Sequence, residues 1–108
     1  MYTDTPMHDL PLTGAQKTFL RGQGQLLAPV LKVGKGGLTP AFFAELQKAL
    51  ASLELVKLRF LGADRDERAQ WCEKIAGEGK CTLVGAVGHT ALFYRQNPNP
   101  ASRRITLA

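Results

Sequence analysis

Hydrophobic residues recur along this chain with two spacings, one typical of helices and one typical of strands. Three stretches show the spacing of an amphipathic helix: the first begins after Thr13 and stops near Gly24, the second begins at Thr39-Pro40, and the third runs roughly from Arg65 to Ala76, before Gly77 and Gly79. Threonine caps helix N-termini well, and proline suits a first helical position. The pattern therefore predicts three helices.

Four shorter stretches are rich in β-branched and aromatic residues and predict strands over 30–33, 55–60, 81–87 and 90–95. In the second stretch, Lys57 and Arg59 alternate with apolar residues, which gives that strand one wet, basic face. Gly88-His89 is a two-residue turn signal between the last two. The order α-β-α-β-α-β-β predicts an α/β fold: a single compact domain whose four-stranded mixed sheet packs with three helices.

Strand directions and chain limits follow from the same pattern. A helix joins the first two strands, so we expect them to be parallel, and we expect the last two to form an antiparallel hairpin. Residues 1–11 are expected to be a flexible extension, 12–96 the domain and 97–108 a basic tail in which Ile105 and Leu107 could add a short edge strand. The expected core aromatics are Phe19, Phe42, Phe43, Phe60 and Phe93, with Trp71 and Tyr94 packed beside them.

Charge is distributed unevenly along the chain. The 14 Lys and Arg exceed the 9 Asp and Glu, which gives a net charge of +5. Two stretches hold cations and no acid: one contains Lys17, Arg21, Lys32 and Lys35, and the other contains Lys80, Arg95, Arg103 and Arg104. This asymmetry is typical of a one-sided nucleic-acid surface, with ordinary solvated charge as the alternative.

Other functional classes find little support. Cys72 and Cys81 do not make a disulfide framework, and His8 and His89 are the only histidines, so we expect no metal site, no cofactor and no catalytic constellation. There is no apolar run long enough to span a membrane and no secretory signal in 1–10, so the expected location is the cytoplasm.

A glycine loop, Gly34-Lys35-Gly36-Gly37, stands between the first predicted strand and the capped second helix. Glycines let another backbone approach closely, and free amides at a helix start favour a phosphate. A P-loop would need Lys-Ser/Thr where Leu38-Thr39 follows, so that motif is excluded, and a purely structural turn remains the alternative. The candidate RNA-binding residues are Gly34, Lys35, Gly36, Gly37, Thr39, Lys17, Arg21, Lys32, Lys57, Arg59 and Arg95.

Several motifs, in order, resemble the CRM domain (chloroplast RNA splicing and ribosome maturation), in particular the stand-alone bacterial YhbY-like proteins. They are Thr13-Gly14-Ala15-Gln16-Lys17, Leu20-Arg21, the run from Pro29 to Thr39, the run from Glu54 to Leu58, the run from Gly85 to Thr90, and Leu92-Phe93-Tyr94-Arg95. The resemblance covers roughly residues 12 to 96, which is most of the chain.

The resemblance implies a fold similar to the C-terminal domain of bacterial translation initiation factor three. It also implies RNA binding through the Gly34–Gly37 loop and association with ribosomal RNA in precursors of the large subunit. We expect the protein to be a monomer. Multi-domain plant relatives assist intron splicing, but an isolated domain fits the ribosomal role better. The alternatives are a module that docks on a ribosomal protein or assembly factor, and an RNA-binding cofactor for splicing.

Overall fold

The structure is a computed structural model that describes residues 12–34, 36–105 and 107. Its helices and strands are α1 (Gly14–Gly24), β1 (Leu31–Val33), α2 (Pro40–Leu53), β2 (Leu55–Phe60), α3 (Arg65–Gly79), β3 (Thr82–Val87) and β4 (Thr90–Tyr94). This order confirms the one predicted from the hydrophobic pattern. The expected N-terminal extension, residues 1–11, lies outside the described residues.

The four strands form one mixed sheet in the order β1-β2-β4-β3. As expected, β1 and β2 are parallel, and β3 and β4 form an antiparallel hairpin. The Leu61 amide donates to the Val33 carbonyl and the Phe60 amide donates to the His89 carbonyl, both at 2.8 Å. The loop after β1, the turn after β2 and the hairpin tip therefore meet at one edge of the sheet, which we call the loop edge.

Helices pack on both faces of this sheet. On one face α2 and α3 cover the larger core, which includes Leu46, Leu50, Phe60, Ile75 and Phe93. On the other face, which we call the α1 face, Leu20 packs among Leu55, Val84 and Tyr94. Leu55 begins β2 and is the register partner of Tyr94. α1 therefore covers the half of its face that lies away from the loop edge, and the other half stays open.

Side chains cap the N-termini of the three helices, as their residue types predict. Thr13 forms a capping box with Gln16, the Thr39 hydroxyl accepts the Phe42 amide at 3.0 Å, and the Asp64 carboxylate accepts the Glu67 amide at 2.8 Å. These bonds fix where α2 and α3 begin, and both helices begin at the loop edge.

The predicted end of α3 near Ala76 was wrong, because the helix continues through Gly77 to Gly79. The Gly79 carbonyl accepts hydrogen bonds from Gln47 and Arg95 at 3.0 and 3.2 Å. These tertiary bonds hold a last turn that its glycines disfavour. Lys80 then ends the helix in the left-handed region, with φ 54°.

The two glycines at the end of α3 provide a matched test of packing. A Cβ on Gly79 would stand 2.7 Å from a methyl of the fully buried Leu46, whereas a Cβ on Gly77 would meet nothing within 4 Å. Gly79→Ala is expected to destabilise the fold by about 1–3 kcal/mol through overpacking. Gly77→Ala should stabilise it by up to about 1 kcal/mol, because alanine favours the helix. Thermal unfolding measures both, and equal shifts would contradict this account.

One aromatic side chain departs from its expected place. Phe19 was predicted to be in the core but is 45% exposed, since α1 contacts the sheet through Leu20 and Gly24 on another side of the helix. Tyr94 is buried, as expected, and burial together with the Glu54 carboxylate raises its pKa to about 12. The prediction of a buried aromatic residue therefore failed on α1, the helix with the fewest buried residues.

Glu54, between α2 and β2, is fully buried and organises the segment that follows the hairpin. Its carboxylate accepts the amides of Asn97, Arg104 and Ile105 at 2.6, 2.7 and 3.0 Å. Its backbone has a positive φ of 65°. A buried carboxylate is costly unless its oxygens are hydrogen-bonded, and here three amides satisfy them.

The segment after the hairpin was expected to be a basic tail, with a possible edge strand at Ile105 and Leu107. In the described part of it, 97–105 and 107, no strand forms. Pro100–Ser102 is a 3₁₀ turn, and Ile105 and Leu107 pack against the core beneath α1. The physical cause is that the amides of Arg104 and Ile105 donate to the Glu54 carboxylate, so they do not donate to a neighbouring strand.

Candidate nucleic-acid interface

The glycine loop lies at the loop edge as a closed turn. The Gly37 amide donates to the Gly34 carbonyl at 2.9 Å, and Gly37 is left-handed, with φ 69°. Thr39, a candidate contact, uses its hydroxyl as the cap of α2. Lys35, the predicted cation of this loop, lies outside the described residues. One loop amide expected to be bare, that of Gly37, is therefore already bonded within the protein, and the Thr39 cap binds the Phe42 amide as its residue type predicts.

Neither a close contact nor the backbone conformation of the described structure requires glycine at positions 34 and 36. A Cβ on Gly34 would meet nothing within 4 Å, and one on Gly36 would make only an ordinary 3.5 Å contact with the Thr39 methyl. Neither residue has the positive φ that requires glycine, whereas Gly37 does. At Gly34 the missing side chain leaves open space among the described atoms, which another molecule can enter.

A row of residues crosses the open half of the α1 face, next to the loop. Cα register places Lys32 beside Arg59, Arg59 beside Thr90, and Thr90 beside Val87. Lys32, Arg59 and Val87 are exposed. Strands lie about 4.8 Å apart, so this row spans roughly 14 Å. The structure therefore brings two predicted cations, Lys32 and Arg59, together beside the loop.

Lys57 and Arg21 lie on the same face, one row further from the loop edge. Lys57 Nζ donates to the carbonyls of Gly24 and Leu27 at 3.3 and 3.2 Å and so binds the C-terminal end of α1. Arg21 Nη1 donates to the Val84 carbonyl at 3.0 Å, and its aliphatic stem crosses Gly85. Carbonyls are neutral, so both side chains are held in position while their charge stays uncompensated. Lys17, half-buried, lies one helical turn before Arg21.

Exposed carboxylates of the described residues lie elsewhere, on α2, α3 and the residue before α3. They are Glu45, Asp64, Asp66, Glu67, Glu73 and Glu78. The ion pairs within this described part join Lys48 to Glu45 and Lys74 to Glu78 on the outside of α2 and α3. The α1 face of the sheet is thus rich in uncompensated cations, whereas the opposite face, covered by α2 and α3, carries mixed charge.

Arg95, also a candidate, is not brought to this surface. It follows β4 at the end of the sheet opposite the loop edge, and its Nη1 donates to Gln47 Oε1 at 2.8 Å as well as to the Gly79 carbonyl. These bonds tie α2 and α3 to the sheet. The structure thus gives Arg95 a role in holding the fold together.

Three residues near the loop were not predicted as site residues. Arg68 Nη1 donates to the Ala63 carbonyl at 2.8 Å and lies 3.3 Å from His89 Nδ1, which links α3 to the hairpin tip. Trp71 reaches to within 3.6 Å of the position that a Gly37 Cβ would occupy. The contacts of Arg68 with His89 and of Trp71 with Gly37 join residues that are distant in sequence, so no local pattern indicates them.

The buried thiols lie away from this surface and are poor nucleophiles. Burial raises the pKa of Cys81 to about 12 and also raises that of Cys72, so both thiols are protonated near neutral pH. Among the described residues no three potential metal ligands come together, and none of the described helices is long and apolar enough to cross a bilayer.

A comparison with protein families decides the affiliation. The model of the CRS1 / YhbY (CRM) domain matches residues 12–95. The chain belongs to the CRM domain family. This confirms the resemblance read from the motifs, and the matched range contains the loop, the basic row and both anchored cations.

Relatives of this CRM domain carry names that refer to RNA. "Probable RNA-binding protein PA4753" of Pseudomonas aeruginosa is 38% identical over 91 residues, 84% of this chain and 88% of that protein. An "RNA-binding protein" of Haemophilus influenzae is 38% identical over 84 residues, 78% of this chain and 85% of its own. The solution structure of hypothetical protein SAV1595 from Staphylococcus aureus superposes with a TM-score of 0.75 at 25% identity, covering 89% of this chain and all of the other.

Proposed function

We propose that this CRM domain is a cytoplasmic RNA-binding protein of ribosome assembly that contacts ribosomal RNA in precursors of the large subunit. The observation that carries the proposal is the bare backbone at Gly34 and Gly36, where no described contact and no positive φ requires glycine. Bare loop backbone of this kind can lie directly against a sugar-phosphate chain. The RNA-binding names of the relatives support the same partner.

The cations beside the loop supply the electrostatic part of this binding. Lys32 and Arg59 are exposed, and carbonyl oxygens hold Arg21 and Lys57 in position. Cations placed in advance attract phosphates without reading sequence, so the affinity is mostly sequence-tolerant. Neutralising about four phosphates of single-stranded RNA gives a slope of log K against log salt near −3.

Loop glycines provide the direct test. Gly36→Ala is expected to lower RNA affinity about tenfold, because the new methyl keeps the RNA backbone away from the loop. Thermal stability should stay equal or rise slightly, since alanine restricts the unfolded chain. The matched control is Gly77→Ala, at the far end of α3, where RNA affinity should not change.

Lys35→Ala tests the charge of the same loop. It should weaken binding and reduce the salt slope by less than one unit, with the thermal midpoint almost unchanged. Unchanged affinity in both loop variants would contradict the proposed site. A flat salt response of the unaltered protein would instead favour docking on a ribosomal protein or assembly factor.

Crosslinking in cells, followed by sequencing of the bound RNA, tests the ribosomal part of the proposal. Recovery of large-subunit ribosomal RNA precursors is the expected result. Enrichment of intron RNA would favour a splicing cofactor, and enrichment of neither would exclude both RNA roles.

A further inference from the structure

An open cleft of about 460 Å³ lies where α1 stops short of the loop edge. α1 ends at Gly24, which packs against the Leu92 side chain. Beyond that contact the sheet is uncovered as far as Val87 and Thr90 in the hairpin, and Arg21 and Lys57 line the cleft from the α1 side. The end of α1 therefore forms one side of the cleft, and β2 together with the β3–β4 hairpin forms the rest.

The lining combines apolar surface with positive charge. Leu92 and Val87 present apolar side chains, and Val87 is 78% exposed. Arg21 and Lys57 stand at the rim, and the lining includes no acidic residue. An arginine carries five N–H donors and an ammonium carries three, so the bonds to Val84, Gly24 and Leu27 leave donors over.

The occupant that matches this lining is a nucleotide of single-stranded RNA. A base offers a flat apolar face for the floor, and its phosphate offers negative charge for the rim. The row Lys32, Arg59, Thr90, Val87 leads from the glycine loop directly to the cleft. One RNA strand along this row can hold phosphates at the loop and place a base in the cleft about 14 Å away.

We propose that the cleft between the end of α1 and the β3–β4 hairpin receives an unpaired RNA base. This inference rests on the proposed RNA binding and extends it from the phosphates to a base. A base inside a duplex stays in its stack and cannot enter the cleft, so the protein should bind single-stranded RNA more tightly than a duplex of equal length.

Photocrosslinking locates the base directly. Oligouridine containing 4-thiouridine is bound to the full chain, irradiated and digested with RNase and trypsin. Cleavage after Lys80 and Arg95 gives a single peptide, 81–95, that holds the whole hairpin, and cleavage after Lys35 and Lys48 gives the loop peptide, 36–48. Crosslinks on 81–95 are expected. Binding with crosslinks on 36–48 alone would overturn the base site and leave the proposed function intact, whereas absence of binding would overturn both.

Val87 offers an independent test, because its exposure allows substitution without loss of folding. Val87→Glu should weaken binding of oligouridine about tenfold by placing a negative charge in the cleft, and Val87→Lys should strengthen it. The controls are Gly77→Glu and Gly77→Lys, which make the same charge changes at the far end of α3 and should each bind RNA within about twofold of the unaltered protein. Both Val87 variants should keep the thermal midpoint. Equal RNA affinity of the Glu and Lys variants would refute the base site, while Gly36→Ala tests the loop separately.

Discussion

Replacing Lys32 and Arg59 together by alanine should lower the affinity for single-stranded RNA roughly a hundredfold. Each side chain is exposed and stands beside the other in the row next to the glycine loop. A hydrogen bond to a charged group contributes about 1.5–3 kcal/mol, so losing two costs roughly 3 kcal/mol or more. The slope of log K against log salt should shrink by about 1.4, which is two phosphates on a single strand.

The matched control removes the same charge from the other side of the molecule. Lys48 and Lys74 are exposed and each faces a glutamate, on α2 and α3 respectively. Replacing both by alanine leaves the α1 face unchanged, so RNA affinity should fall far less. Filter binding over a range of salt concentrations measures both double variants, with thermal unfolding as the check on folding. Equal losses in the two would show that net charge, and not this face, binds RNA.

Glu54→Gln is expected to lower the free energy of unfolding by roughly 3 kcal/mol. The carboxylate accepts three amides, and an amide side chain brings two N–H donors against them and keeps one oxygen. Each buried donor left unpaired costs about 1–3 kcal/mol. For a domain of this size the thermal midpoint should fall by about 12 °C or more. The variant and the unaltered protein have the same positive φ at position 54, so backbone strain does not contribute to the difference in stability.

Hydrogen exchange locates the effect of that substitution. With the glutamine oxygen at the Oε1 position, Arg104 and Ile105 keep their acceptor and Asn97 loses its own, so the Asn97 amide should lose protection first. Glu45→Gln, an exposed acid on α2, is the control and should change stability by less than about 0.5 kcal/mol. A Glu54→Gln variant as stable as this control would mean that the three bonds contribute little.

The helices and strands could be predicted from the sequence because patterns within a few residues determine them. Alternation in β2, threonine caps on α1 and α2, and the Gly88-His89 turn each act within a few residues. The glycine loop was predictable for the same reason. The end of α3 was not, because Gly77 and Gly79 stay helical only through bonds from Gln47 and Arg95, which are distant in sequence.

The candidate site was predictable only as a set of residue types. Sequence placed Lys57 and Arg21 among exposed cations, but their acceptors lie 33 and 63 residues away, at Gly24 and Val84. Arg95 has the same residue type as Arg59, yet it lies at the opposite end of the sheet. Which cations converge depends on strand order and helix packing, and neither is encoded locally.

Main-chain acceptors on the α1 face also bear on how this surface changes during evolution. A carbonyl oxygen is present whatever side chain its residue carries, so substitutions at Leu27 or Val84 leave the acceptors of Lys57 and Arg21 in place. A carboxylate partner would be lost by one mutation and would cancel the charge while it lasted. Substitutions at neighbouring positions therefore leave the positive potential of this face unchanged. Homologues can differ at those positions and keep the same electrostatic surface.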